Sequence, residues 1–285
     1  MGVYAVTGSA SGMGRAVVEK LTAAGHTVVG VDLQGAEVVA DLSTAEGRRH
    51  AVQRVLELSG GKLDGAVLAA GVGPTPDPGR LPLIGAVNYL GVVELLDGWR
   101  SALAVSGNAK VVVFGSNSTT TTPAVPKRTI KALLSGDVDK AVRSVRFFGG
   151  KASAPMMYAG SKIAVTWWAR RHATTKEWAG AGIRLNVLAP GAIMTPLLEK
   201  QLATPLEAKT VRRFPVPVGG FGDAGQLGDW VVFMLSDSAN FLCGSVVFVD
   251  GGSDAYFRPD AWPRPVPISR IGRYAWRFLR YPGNG

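Results

Sequence analysis

The sequence predicts an α/β protein built on a doubly wound parallel sheet, and two observations carry that prediction. Six short runs rich in Val, Ala and Leu recur along the 285 residues: VYAVTG, TVVGVDL, LDGAVLAAG, KVVVFGS, IRLNVLAPG and SVVFVDGG. None alternates apolar with polar residues, as expected for strands covered on both faces. Longer stretches of helical period separate them, and strand–helix alternation of this kind gives the Rossmann arrangement, with ligands at the carboxyl ends of the strands. With 47% hydrophobic content the chain can bury a substantial core, and no internal repeat divides it. The expected layout is one domain over residues 1–256, with an insertion at about 118–154 and a basic extension over 257–285.

VYAVTG opens the sheet and runs directly into TGSASGMG, which sets glycines at 8, 12 and 14 ahead of the helix GRAVVEKLTAAG. Gly8 permits a tight exit from the strand, Gly12 lets backbone amides approach a pyrophosphate, and Gly14 lets helix and strand pack closely. Ser11 and Met13 complete that loop, the helix N-terminus offers free N–H groups to phosphates, and Gly25 closes the helix as its C-cap. The second strand ends at Asp32, 18 residues beyond Gly14, with Leu33 after it. A carboxylate there accepts both ribose hydroxyls of an adenosine and repels a 2′-phosphate. Gln34 and Gly35 follow, and Ser9, Ala10 and Ser11 leave the glycine loop uncharged, so NAD is expected in preference to NADP.

STAEGRRHAVQRVLELSGG continues as a helix with capping-box spacing at Ser43 and Glu46. LDGAVLAAG and KVVVFGS add the next strands, after which roughly 40 residues break the rhythm, from a TTTT run through a helix-like ALLSGDVDKAVRSVRFF to FGGK. An insertion at that edge of a sheet shapes a pocket or an oligomer contact. Directly after it comes YAGSK, residues 158–162, where Tyr158 and Lys162 share a helix face. Hydride transfer between an alcohol and a nicotinamide needs a group that exchanges the hydroxyl proton. A tyrosine of pKa about 10 serves only if a neighbouring cation favours its phenolate.

With the glycine loop, Asp32 and YAGSK in place, the chain resembles the short-chain dehydrogenase/reductase family over roughly residues 1–256. The family's TGxxxGxG appears as TGSASGMG, its Asn-Asn-Ala-Gly segment as LAAGVG, with Ala69 in place of an asparagine before Ala70 and Gly71, and its tyrosine–lysine motif as YAGSK. The resemblance implies that Asp41 and Leu42 contact the adenine, and that Lys162 also binds the nicotinamide ribose. It places Pro190, Gly191 and Ile193 of PGAIMT around the nicotinamide, with Thr195 on its carboxamide. It further implies a serine just past the fifth strand to hold the substrate oxygen. KVVVFGSNS offers Ser116 and Ser118, and Ser116 follows the strand and its glycine directly. The serine–tyrosine spacing common in the family points instead to Ser144, but that residue lies in a helix-like part of the insertion. Asn88 in GAVNYLG matches the asparagine that kinks its helix and positions a relay water with Lys162. Within the family, VDLQGAEVVADLSTAEGR, DGAVLAAGVGP, the insertion and VDGGSDAYFRP are similar to the bacterial 3α-hydroxysteroid dehydrogenase/carbonyl reductase branch, which implies a hydrophobic ketone or sterol-like alcohol as substrate. Phe147, Phe148, Met156, Met157, Met194, Leu197, Leu198 and Leu202 are the expected apolar pocket lining.

A single cysteine, Cys243, excludes an internal disulfide, and His26, His50 and His172 have no ligand-like spacing, so neither a structural metal nor a thiol nucleophile is expected. The N-terminus lacks the basic and apolar regions of a signal peptide, and no uninterrupted apolar stretch approaches the roughly 18 residues of a spanning helix. A cytoplasmic protein is therefore expected. Net charge is +10, half of it on residues 256–285, which hold six Arg and one Asp. ISRIGRYAWRFLRYP sets Arg270, Arg273, Arg277 and Arg280 opposite Ile271, Ala275, Phe278 and Leu279. Packing on a partner subunit, in a homodimer or homotetramer, is the first reading of that stretch, weak contact with an anionic membrane surface the second, and nucleic acid is not expected. Two rivals to a dehydrogenase share the fold: a non-catalytic dinucleotide-sensing or scaffold protein, and a sugar-nucleotide epimerase or dehydratase. The first has no need of a proton-relay set, and the second usually carries a larger C-terminal part than the roughly 90 residues after PGAIMT.

Overall fold

The computed structural model describes residues 1–281 apart from Pro76, Pro78, Thr204 and Arg264. The strands run β1 (Val3–Thr7), β2 (Thr27–Asp32), β3 (Val38–Val39), β4 (Gly65–Leu68), β5 (Lys110–Phe114) and β6 (Arg184–Pro190). A small ribbon follows, β7 (Ile193–Met194) with β8 (Gly222–Asp223), and then β9 (Val246–Val249). Seven of them form one parallel sheet in the order β3-β2-β1-β4-β5-β6-β9. The chain builds outward from β1 to β3 and then returns to β4 on the other side of β1, so a crevice opens above the carboxyl ends of β1 and β4.

Neighbouring strand residues explain the missing alternation. Ala5, Ala66, Leu68, Val111 and Val113 point into one core, while Tyr4, Val6, Val67, Val112 and Phe114 point into the other. Both faces are therefore dry. One core lies under α2 (Ala45–Leu58), α4 (Gly91–Val105) and α8 (Gly150–His172), and the other under α1 (Gly12–Ala23) and α11 (Ala224–Leu235). α1 ends at Ala23 and Gly25 follows with φ +81°, a left-handed turn that suits glycine. α2 starts one residue later than its capping-box spacing suggests: Thr44, not Ser43, is the N-cap, its hydroxyl accepting from Gly47 N at 2.9 Å.

Two sequence expectations change in the fold. The helix expected across the insertion is two helices, α6 (Lys127–Leu134) and α7 (Val138–Arg146), broken at Gly136 with φ +78°. The hydroxyls of Thr129 and Ser144 pair across them, and Ile130, Leu133, Val142 and Val145 join the first core, so this part of the insertion is a packed element. Before it stands a single turn, α5 (Ser118–Thr121). Residues 80–105, in turn, are long and apolar enough to cross a membrane. They consist of α3 (Arg80–Gly85), a π-helical segment (Ala86–Leu90) and α4, a run that Gly85, Asn88 and Gly91 fail to interrupt. Leu95, Leu96, Trp99 and Leu103 are fully buried, so this is a core helix. After β7 come α9 (Pro196–Ala203) and α10 (Pro205–Arg213), and after β9 come α12 (Ser253–Phe257) and the terminal α13 (Ile271–Leu279).

Candidate active site

One side of the crevice is built from main chain. Gly8 leaves β1 at φ +69°, and a Cβ there would meet Ala70 N at 2.8 Å, because the exits of β1 and β4 touch; Thr7 Oγ1 accepts from Ala70 N across the same junction. A Cβ on Gly14 would lie 2.1 Å from Gly8 O, so α1 can dock against the loop only through glycine. Ser11 is the N-cap of α1 and makes no side-chain capping bond, and the first turn carries no acid. The helix thus presents its leading amides and positive dipole end to an anion. At the tip of β2, Asp32 accepts from Ala10 N at 2.9 Å and Leu33 N at 2.7 Å, which fixes the carboxylate while leaving lone pairs on both oxygens. Gly8, Ser11, Gly12, Met13 and Gly14 line a cavity of about 430 Å³ together with Asp32, Leu33, Asp41, Leu42, Ala70 and Gly71. These residues fit a dinucleotide, with Asp32 at the ribose position and the bare helix end at the pyrophosphate.

Arg80 also lines this cavity, its Nε donating to Gly73 O at 2.9 Å and so holding the loop after β4. Sequence reasoning missed it. The available signal was a lone cation opening a helix behind a Pro/Gly-rich loop.

The second cavity, about 390 Å³, adjoins the first and shares Met13, Gly71, Val72 and Thr195 with it. Ser116, Tyr158 and Lys162 all line it, as do Pro190, Gly191 and Ile193. Ser116 leaves the end of β5 and is buried; its Oγ accepts from Ser118 N at 3.1 Å, and its hydroxyl lies beside the half-buried Tyr158 phenol. Burial pushes the Tyr158 phenol up from its ordinary range, with the Ser116 hydroxyl pulling the other way. Lys162, one turn further along α8, donates from Nζ to Phe114 O at 2.8 Å, and burial pushes its ammonium down to about 8. The expected lowering of the phenol by Lys162 is therefore not what governs Tyr158 in this structure: desolvation outweighs the other influences, and the lysine is turned toward the end of β5.

Asn88 lies in neither cavity. It is fully buried in the π-helical segment, where its amide pairs both ways with the main chain of Val72: Oδ1 accepts from Val72 N at 2.8 Å and Nδ2 donates to Val72 O at 3.0 Å. The helix distortion expected at Asn88 is present, and its side chain clamps the loop after β4. A Cβ on Gly71 would sit 3.3 Å from Asn88 Oδ1 and 3.7 Å from Lys162 Nζ, so glycine keeps a small space open between those polar groups. Ser144 is held by Thr129 away from the cavity, whereas Ser118 lines it.

The pocket lining departs most from expectation. Phe147 and Phe148 are 84% and 41% exposed at the end of α7, Met157 is fully buried in the core, and Met194 is exposed. Leu198 lines the cavity, and the Leu197 side chain lies outside the described residues. The apolar walls come from Val72, Pro74, Pro155, Val211 and Phe214, with Thr121 and Thr122 from the start of the insertion. Asn117 and Ser118 line the same cavity, while Asn117 Nδ2 and Ser118 Oγ are buried behind it without a hydrogen-bond partner among the described residues.

A doubly wound sheet, a glycine cradle at its switch point and a Ser–Tyr–Lys set in the adjoining cavity define a nicotinamide-dinucleotide oxidoreductase. The family profile described as enoyl-(acyl carrier protein) reductase matches residues 8–254, and the chain belongs to the short-chain dehydrogenase/reductase family. It is 36% identical over 259 residues to the 3-alpha-hydroxysteroid dehydrogenase/carbonyl reductase of Comamonas testosteroni, covering 91% of this chain and 99% of that one. The crystal structure of the 3-alpha-hydroxysteroid dehydrogenase from Pseudomonas sp. B-0831 complexed with NADH superposes with a TM-score of 0.83 at 44% identity, over 90% of this chain and 99% of that one. A 2,5-dichloro-2,5-cyclohexadiene-1,4-diol dehydrogenase of Sphingobium indicum is 29% identical over 266 residues, covering 88% and 96% of the two chains.

Proposed function

We propose that the chain interconverts a hydrophobic secondary alcohol and its ketone, of the hydroxysteroid or xenobiotic carbonyl class, with NAD(H). The observation that carries the reading is the meeting of Ser116, Tyr158 and, one helical turn on, Lys162 in a single cavity continuous with the glycine cradle. Bound cofactor supplies or accepts the hydride, and the chain handles the proton. Ser116 holds the substrate oxygen. Tyr158, kept protonated by burial, gives its proton to that oxygen as a ketone is reduced and takes it back as an alcohol is oxidised. The Lys162 cation stabilises the phenolate left behind, and Asn88 holds the loop carrying Val72 against the site. Asn88 Oδ1 and Lys162 Nζ both lie close to Gly71, which supports a relay water held between them. Gly12, Gly14 and Asp32 bind the adenosine end, and Gly191, Ile193 and Thr195 the nicotinamide end. The 36% identity to a hydroxysteroid dehydrogenase/carbonyl reductase supports the substrate class, and Phe214, Val211 and Leu198 supply its apolar surface.

In the same reading, residues 1–256 are the catalytic domain and 257–285 an appended extension. The assembly is a homodimer or homotetramer, for which exposed Trp230, Phe233 and Phe241 offer an apolar surface, and the compartment is the reducing cytoplasm that a single thiol, Cys243, suits. Absorbance at 340 nm tests the function: NAD and NADP are assayed against sterols, secondary alcohols and ketones, with Tyr158→Phe as the control. NAD-linked turnover of hydrophobic carbonyls that falls by 10²–10⁴-fold in the variant, the range of a general acid, is expected. No turnover of any substrate, with NADH binding intact, favours a dinucleotide-sensing protein. Undiminished turnover in Tyr158→Phe removes the tyrosine from its role.

A further inference from the structure

The extension after the catalytic body has its own architecture. The family match ends at residue 254, and the Comamonas relative is covered to 99% of its length by 91% of this chain, so the tail is an addition to the family fold. From residue 261 onward the sequence contains five Arg and no Asp or Glu. Every described residue from Trp262 to Tyr281 is exposed, including Ile271 (54%), Phe278 (73%) and Leu279 (81%). A nine-residue helix with no buried side chain, as α13 is, draws little stability from its backbone alone, and whatever covers its apolar face completes it.

The arrangement around α13 says what that cover is. At about 100° per residue, Arg270, Arg273, Arg277 and Arg280 fall on one face, and Ile271, Ala275, Phe278 and Leu279 on the other. Tyr274 and Trp276 fall on the two borders between these faces, where side chains with an apolar body and a polar tip settle at a membrane–water boundary. Arg280 lies over the Trp276 ring at 4.8 Å, which brings cation and aromatic to the same level. Arg270, Arg273, Arg277 and Tyr274 also line a cavity of about 440 Å³ against Pro265–Pro267, a cationic recess of a size for phosphate headgroups. A protein partner would need a matching acidic rim around an apolar groove, whereas an anionic bilayer offers negative charge above and apolar depth below in one surface.

We infer that α13 with Pro265–Pro267 docks the protein on anionic phospholipid membranes, Phe278, Leu279 and Ile271 entering the acyl boundary and the four arginines engaging headgroup phosphates. The test is co-sedimentation of the full chain with vesicles of phosphatidylcholine alone or with 30% phosphatidylglycerol added. The chain is expected to sediment with the anionic vesicles only, and to lose that binding as salt is raised. Arg270, Arg273, Arg277 and Arg280 all changed to Gln weakens it a hundredfold or more, at roughly fivefold per arginine. Phe278→Ser with Leu279→Ser weakens it at least tenfold at unchanged net charge. NADH binding is measured on each variant to show that the body is folded. Equal binding to neutral vesicles, binding retained by a chain ending at residue 257, or no vesicle binding at all overturns the inference. Tail-dependent oligomer mass without vesicle binding assigns the tail to a subunit contact instead, and preferential binding of duplex DNA assigns it to nucleic acid.

Discussion

The two sides of the groove are built from different material. The cofactor side is made of backbone: strand ends that touch, a helix terminus presented bare, and glycines whose missing Cβ atoms make each approach possible. The substrate side is made of side chains gathered from far apart, Val72 and Pro74 after β4, Pro155 in α8, Val211 and Phe214 near the end of α10. A site made of backbone can tolerate only one residue type at its close approaches, whereas a site made of apolar side chains can be lined in many ways. The first kind therefore resists substitution in an all-or-none manner, and the second yields by degrees.

That contrast is sharpest at Gly14, where the largest effect is expected. Gly14→Val pushes α1 off Gly8 O, so NADH affinity by fluorescence titration should fall more than a hundredfold, with the melting temperature lower by roughly 5–10 °C; unchanged affinity would show that the backbone can yield. Next comes pH. A lysine pushed down to about 8 is a cation below that value and neutral above it. The free-enzyme kcat/KM for ketone reduction should be level below about pH 8 and fall roughly tenfold per unit above it, and Lys162→Arg should move that limb out of range. A limb that stays at 8 in Lys162→Arg belongs to another group. On the substrate side, Phe214→Ala should raise KM for hydrophobic ketones roughly tenfold while leaving NADH affinity alone, and Phe147→Ala should change neither. Equal effects from the two phenylalanines would erase the pocket assignment. The smallest effect is expected at Asp32→Asn, which should lower the preference for NAD over NADP several-fold, since the amide loses the charge that repels a 2′-phosphate and can accept from only one of Ala10 N and Leu33 N.

The same contrast governs how much could be read from the sequence. Six strands of the sheet were legible because burial on both faces leaves continuous apolar runs, while β3 was not, being two residues of which Val38 is buried and Val39 exposed. The glycine cradle and YAGSK were legible because spacing along one loop or one helix is spacing in the sequence. The pocket was not, because Phe214 and Val72 are brought together only by the sheet order, and an apolar residue in a pocket looks like one in a core. Phe147 and Phe148 drew attention by being aromatic beside the tyrosine helix, but α7 ends there and turns them outward. Asn88 was found by its motif, and its partner Val72, sixteen residues upstream, could be found only in the fold.

Lys162 carries one further consequence. Its Nζ bonds the last carbonyl of β5, two residues before Ser116, while its own helix carries Tyr158 one turn back. The strand that leads to Ser116 and the helix that holds Tyr158 are thereby braced together at one point. A shift of the helix on the sheet would have to break this bond, so the bond opposes any change in the distance between the two oxygens. A neutral amine still has hydrogens to donate, so the brace outlasts the positive charge. In this one side chain scaffold and electrostatics come apart: alkali can silence the second while the first stands.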